Sequence, residues 1–211
     1  MTKIGVTISD LDDNPTLSSE NSEKSISFYQ TRETLYSPEL YNKFIHSAVN
    51  RFHKSNTYSM YKGRLIEMGM NRDFIQSNLS MEHCSIEMHH NVLTVYDIAF
   101  IICEHTLNTV GKISSFDLVE KLKEEHKNNR VGLVMLSVTS HELYHANDDF
   151  YIHPNMVIGR WYEFLEKYNR GITPQIANKV IRYINTALNT EKSTDAGLLK
   201  LRDNIYDWSQ Y

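Results

Sequence analysis

The sequence predicts an α+β protein: a small core of two strands and a capped helix, placed between helical flanks. Three observations carry this. Val131 to Leu136 is a continuous apolar, β-branched-rich run of strand length, and Cys84 to Met88 reads as a second short strand. Thr139 with Glu142 reads as a capping box opening a new helix directly after the later strand. Ser37-Pro38-Glu39, an N-cap followed by a first-turn proline and an early acid, opens another helix whose Leu40, Phe44, Ile45, Ala48 and Phe52 share one face.

The remaining elements follow in order. Residues 1–25 mix Ser, Asn, Asp and Glu after a short Ile4 to Ile8 alternation, which predicts a flexible leader with one edge strand. Residues 26–81 form an N-terminal helical and mixed region; from Tyr58 to Ser80 the periodicity weakens, with Gly63 and Gly69 as turn signals, and it specifies no element. Within a core at 82–148, Leu93-Thr94-Val95 leads into an apolar helix that stops before Gly111, with Ile98, Ile101 and Ile102 as its core face. Ser114-Ser115 caps the next helix, which carries Leu118, Val119 and Leu122 and turns highly charged at Lys123-Glu124-Glu125. This helical pair reads as an insertion between the two strands. Residues 149–211 form a helical C-terminal lobe, with segments from Met156 to Tyr168, from Thr173-Pro174 to Leu188, and from Asp195 to Trp208.

Composition bounds the function. With 211 residues, 41% hydrophobic and 23% charged, the chain buries a real core. A formal net charge of −4 gives no global attraction to nucleic acid, so any such binding needs a local patch or a metal. The stretch holding Arg51, Lys54, Lys62, Arg64 and Arg72 has few acids and is the candidate phosphate-facing flank, although for any one of these side chains a solvated helix face is the simpler explanation. Cys84 and Cys103 make no Cys-x-x-Cys pair and no cleavable signal stands at the N-terminus, which predicts a reducing, cytoplasmic setting. The longest apolar run, Val92 to Cys103, is broken by Asp97 and is too short for a bilayer, so no membrane partner is expected.

The chemistry concentrates in histidines. His89-His90 ends the first strand, with Glu87 just before, and His141 and His145 lie one turn apart on the helix after the second strand. Imidazole is the commonest protein ligand for borderline metals and the side chain best placed to take a proton near neutral pH. Adjacent residues of a regular strand face opposite sides, so His89 and His90 share a site only if the backbone turns there, as leaving the strand at Asn91 allows.

This order of strand, His-His, strand and His-x-x-x-His helix resembles the HNH nucleases, the ββα-metal fold, and most closely their colicin-DNase branch. The resemblance rests on Glu87-Met88-His89-His90 and His141-Glu142-Leu143-Tyr144-His145 and covers Cys84 to Asn147. It implies an HNH-like core that hydrolyses phosphodiester bonds of DNA, or of RNA, with one divalent ion of zinc, nickel or manganese. His89, His141 and His145 would hold the metal, His90 would act as general base, and Glu87 would be the acidic partner. Gly132 stands where the family carries the asparagine that orients the base, and Ser137 and Ser140 stand where many members carry a zinc-binding Cys-x-x-Cys. The neighbourhood also resembles bacteriophage proteins that combine a His-His pair, an apolar helix and a late His-Glu-x-x-His, which implies action in the host-cell cytoplasm. A protein partner or a second copy of the chain is left open.

Two rival readings exist. His141-Glu142-Leu143-Tyr144-His145 also spells the zincin signature, in which Glu142 activates water for peptide hydrolysis; the third ligand would come from Glu163, Glu166 or His153. Alternatively the fold is catalytically degenerate and serves as a structural or interaction module.

Overall fold

The protein is described by a computed structural model that covers residues 28–146, 150–191 and 195–210. The expected leader and its Ile4 to Ile8 strand lie outside the described residues, as does Asn147.

The elements are β1 (Tyr29–Gln30), α1 (Pro38–His53), α2 (Asn56–Glu67), β2 (Ile86–His90), α3 (Val95–Val110), β3 (Ile113–Ser114), α4 (Ser115–Lys127), β4 (Leu133–Ser137), α5 (Val138–Ala146), α6 (Trp161–Lys167), α7 (Pro174–Glu191) and α8 (Ala196–Trp208). Helix and small two-stranded sheets are thus mixed in one α+β arrangement. The helix starts follow their local chemistry. Ser37 caps α1 through its side chain, and Thr94 and Ser114 each close a reciprocal box with an aspartate three residues on. Gly111 ends α3 at φ 83°, the left-handed cap that suits glycine. Just before the stretch whose periodicity is weak, Ser55 caps α2, so a side-chain cap starts a helix that binary patterning does not reveal.

β2 and β4 pair antiparallel with His89 opposite Val134 and His90 opposite Leu133. The alternation of a strand then sorts the side chains between two faces. Met88, Leu133 and Met135 join the main core with Ile45, Phe52, Ile98, Ile102, Leu118 and Leu122 from α1, α3 and α4. Val134 and Leu136 look the other way, into a smaller apolar cluster with Ile152, against which Tyr144 of α5 packs. The helical pair α3 and α4 is inserted between the two strands, and the chain passes from β4 into α5 without a loop.

The start of α5 differs from the expected Thr139–Glu142 box. The helix begins two residues earlier, at Val138, Thr139 is exposed, and the side chain of Ser137 accepts from the Ser140 amide at 3.2 Å. Ser137 is in turn fixed by Asp73, whose buried carboxylate accepts from the amides of Ser137 (2.8 Å), Ile75 (2.7 Å) and Gln76 (2.9 Å). Burial opposes the charge of Asp73, but the bonds from Ser137, Ser140 and these amides prevail and hold its carboxyl at about 2. The segment without a predicted element therefore supplies the anchor of the β4–α5 junction.

A second buried acid ties α4 to the chain that follows. Glu125 is fully buried and is met by Arg130 at 2.6 Å, Lys167 at 2.7 Å and the Tyr168 hydroxyl at 2.9 Å. No helix among the described residues is long and apolar enough to cross a membrane.

Candidate metal centre

Glu87 and His89 sit two residues apart on β2 and so face the same side, the one covered by α5. On α5, His141 and His145 are one turn apart and also share a face. The result is a convergence of three imidazoles. The ring centroids of His89 lie 4.8 Å from His141 and 5.3 Å from His145, and those of His141 and His145 are 4.7 Å apart. One ligand atom from each of the three lies within 4.8 Å of the others, so strand and helix meet at a single point.

Second contacts orient these rings. Nδ1 of His141 lies 2.5 Å from Oε2 of Glu87, and a carboxylate accepts, so Nδ1 donates and the ring presents Nε2 to His145. That Nε2 lies 3.0 Å from Nε2 of His145. Two imidazoles on one tetrahedral ion are separated by about 3.3 Å, from metal–nitrogen bonds of about 2.05 Å. The ring of Tyr144 packs 4.4 Å from that of His89, and its hydroxyl donates to Asn91, which donates to Tyr183 of α7.

His89 provides the test of fit. Its ring is buried, yet Nε2 has no hydrogen-bond partner. A buried nitrogen without a partner costs stability unless something fills it. Burial, followed by repulsion from His141 and His145, lowers the imidazole to about 4, which keeps it neutral and available as a ligand at physiological pH. The residues present fit a borderline divalent ion with three nitrogen ligands and an open position. A depression beside His141 and His145 is lined by Glu87, Val138, His141, Glu142, His145 and Ala146, with His89 buried behind them.

His90 is elsewhere. The strand continues through it, so its side chain leaves on the opposite face and is buried in the main core beneath α4, with Nε2 2.8 Å from Nε2 of His126. Nδ1 of His126 lies 2.7 Å from the Leu122 carbonyl and must donate to it; the neutral ring then accepts at Nε2 from His90. Burial drives both imidazoles down, His126 to about 4, and repulsion from its partner adds to the effect on His90. The expected turn between His89 and His90 does not occur, and His90 does not face the water-accessible side of the centre. The signal for its true partner was present only as one more helical histidine at the charged end of α4.

That pair makes a prediction. Unfolded, His126 titrates near its ordinary 6.5, but folded it resists protonation until about 4. Its contribution is complete above pH 6.5 and is lost as the pH falls toward 4, on the order of 3 kcal/mol in all. Urea midpoints of metal-free protein should fall markedly from pH 7 to pH 5, and His126→Gln should flatten that slope. An unchanged slope in the variant would show that the pair does not control acid stability.

Gly132 has a structural cause. A Cβ there would lie 1.9 Å from the Asn91 carbonyl oxygen, because the backbones of the two strands meet closely where the Asn91 amide bonds to the Gly132 carbonyl at 3.1 Å. The position cannot hold an asparagine in this backbone.

The basic residues do not gather at the centre. Arg51 and Lys54 flank one shallow depression on α1, with Arg51 bonded to Ser115 and stacked on Phe116. Lys62 and Arg64 lie on α2, and Arg64 borders a different hollow with Lys127. Arg72 bonds to the Ser77 carbonyl, one residue before the anchor Asp73. None of the five lines the depression at His141 and His145.

The family described as Bacteriophage G278-like virion protein matches residues 3–208. The chain belongs to that family. The G278-like match covers the inserted helices and the C-terminal lobe as well as the histidine centre, so the bacteriophage resemblance extends over nearly the whole chain. No curated protein and no solved structure matches it.

Proposed function

We propose that this G278-like protein is a metal-dependent hydrolase of the phage particle, acting on phosphodiester bonds. The observation that carries the reading is the convergence of His89, whose buried Nε2 is unpartnered, with His141 and His145. An antiparallel strand pair followed directly by the ligand-bearing helix supports the ββα-metal likeness, and with it a nucleic-acid substrate. A divalent ion held by His89, His141 and His145 would supply Lewis-acid activation of water and of a phosphoryl oxygen.

The position of His90 leaves the task of proton acceptor to another group. Glu142 opens onto the same depression as His141 and His145 and is the carboxylate placed to take it, while Glu87 is occupied in orienting His141. The same placement of Glu142 favours a second reading, peptide hydrolysis of the zincin kind with His89 rather than Glu163, Glu166 or His153 as third ligand.

Supercoiled plasmid and unfolded casein, each incubated with untagged protein and added zinc, nickel or manganese, separate the two. Nicking should appear with metal, vanish with chelator, and drop about a hundredfold in Glu142→Gln, the scale of losing a general base. Cleavage of casein without nicking would replace the nuclease by the peptidase. Inactivity on both substrates with metal bound would leave the centre a structural element of the virion protein.

A further inference from the structure

Helix α5 is weakly held for an element that carries two of the three ligands. It has nine residues, below the roughly 12 that an isolated helix needs, so its stability must come from docking. Yet Ser140 is its only buried residue, and Val138 and Leu143 are 37% and 45% exposed. Its N-terminal end is anchored by Asp73 through Ser137 and Ser140. Its remaining half is held by the Glu87–His141 bond, by His145, and by Tyr144 against Asn91, His89 and the small Val134, Leu136 and Ile152 cluster. The ligand atoms lie within 4.8 Å of one another, so the widest pair closes by at most about 1.5 Å to reach tetrahedral spacing.

We propose that α5 is a metal-operated latch: an ion bound by His89, His141 and His145 draws its C-terminal half onto β2, and without the ion that half opens while the Asp73-anchored end stays in place. The proposal rests on the three-histidine reading above. Docking of α5 then sets the position of Glu142 and the shape of the depression, so metal loading controls both at once. Binding free energy is spent on ordering a local segment, the general coupling of metal to folding on the scale of one helix.

The test is amide hydrogen exchange across the full chain with and without one equivalent of zinc, alongside calorimetric titration of zinc. Exchange at residues 142–146 should slow at least tenfold with zinc, and exchange at 133–137 should not change. His145→Ala, at an exposed position that leaves the core intact, should abolish the slowing, as should His89→Ala. Zinc bound at one equivalent with unchanged exchange at 142–146 would overturn the latch and leave the metal centre standing. Slowing that survives in both variants would also overturn it, since the ion would then act from another place. Absence of zinc binding would remove the centre and the latch together.

Discussion

Replacing His89 and His141 together by alanine is expected to abolish metal binding. The untagged wild-type protein should hold about one zinc per chain, measured by elemental analysis after dialysis, and the double variant none. The effect is large because each imidazole lost from a three-nitrogen site removes a bond that water replaces poorly. His89 and His141 also come from different elements, so their joint loss separates a site built across strand and helix from a pair confined to α5. Glu87→Gln should act more mildly, lowering affinity by about 10- to 100-fold, because it leaves the ligands in place but removes the charge that orients His141. A full equivalent of zinc in the double variant would show that the convergence of these histidines is not the metal site.

Gly132→Asn, the change that restores the residue expected from the HNH resemblance, should unfold the protein rather than improve it. The new Cβ would sit 1.9 Å from the Asn91 carbonyl oxygen and 3.0 Å from Val157 Cγ1, and the first of these is backbone that cannot swing aside. Overpacking a core typically costs 1 to 3 kcal/mol, and a clash with a paired strand should reach at least the top of that range. Thermal unfolding of Gly132→Ala, which adds the Cβ alone, checks the cause. A loss close to that of Gly132→Asn is expected; a variant as stable as wild type would show that the strands tolerate more separation here.

Much of this molecule was legible in one dimension. Ser37, Thr94, Ser114 and Asp195 stand where their helices begin, because a cap is a contact within one turn and needs nothing distant. The two core strands were legible within a couple of residues from apolar content, and His141 and His145 from their spacing alone. The start of α5 was not, because its cap is chosen between Ser137 and Thr139 by a carboxylate from Asp73, far off in sequence. Nor was the glycine at 132, which reads as a missing asparagine until the neighbouring strand is laid beside it.

His89 and His90 mark the boundary. The sequence determined that two imidazoles end a strand and that two more follow on a capped helix. Only the tertiary structure decided which of the adjacent pair would join them. A strand alternates its side chains, so its orientation gives one face to α5 and the other to α1 and α4. His89 was thereby placed beside His141 and His145 with a nitrogen unpartnered, and His90 was placed beneath α4 with His126 as its partner. Spacing is set by covalent chain geometry, but facing is set by what packs on each side of the strand, and that information lies in residues far away along the chain.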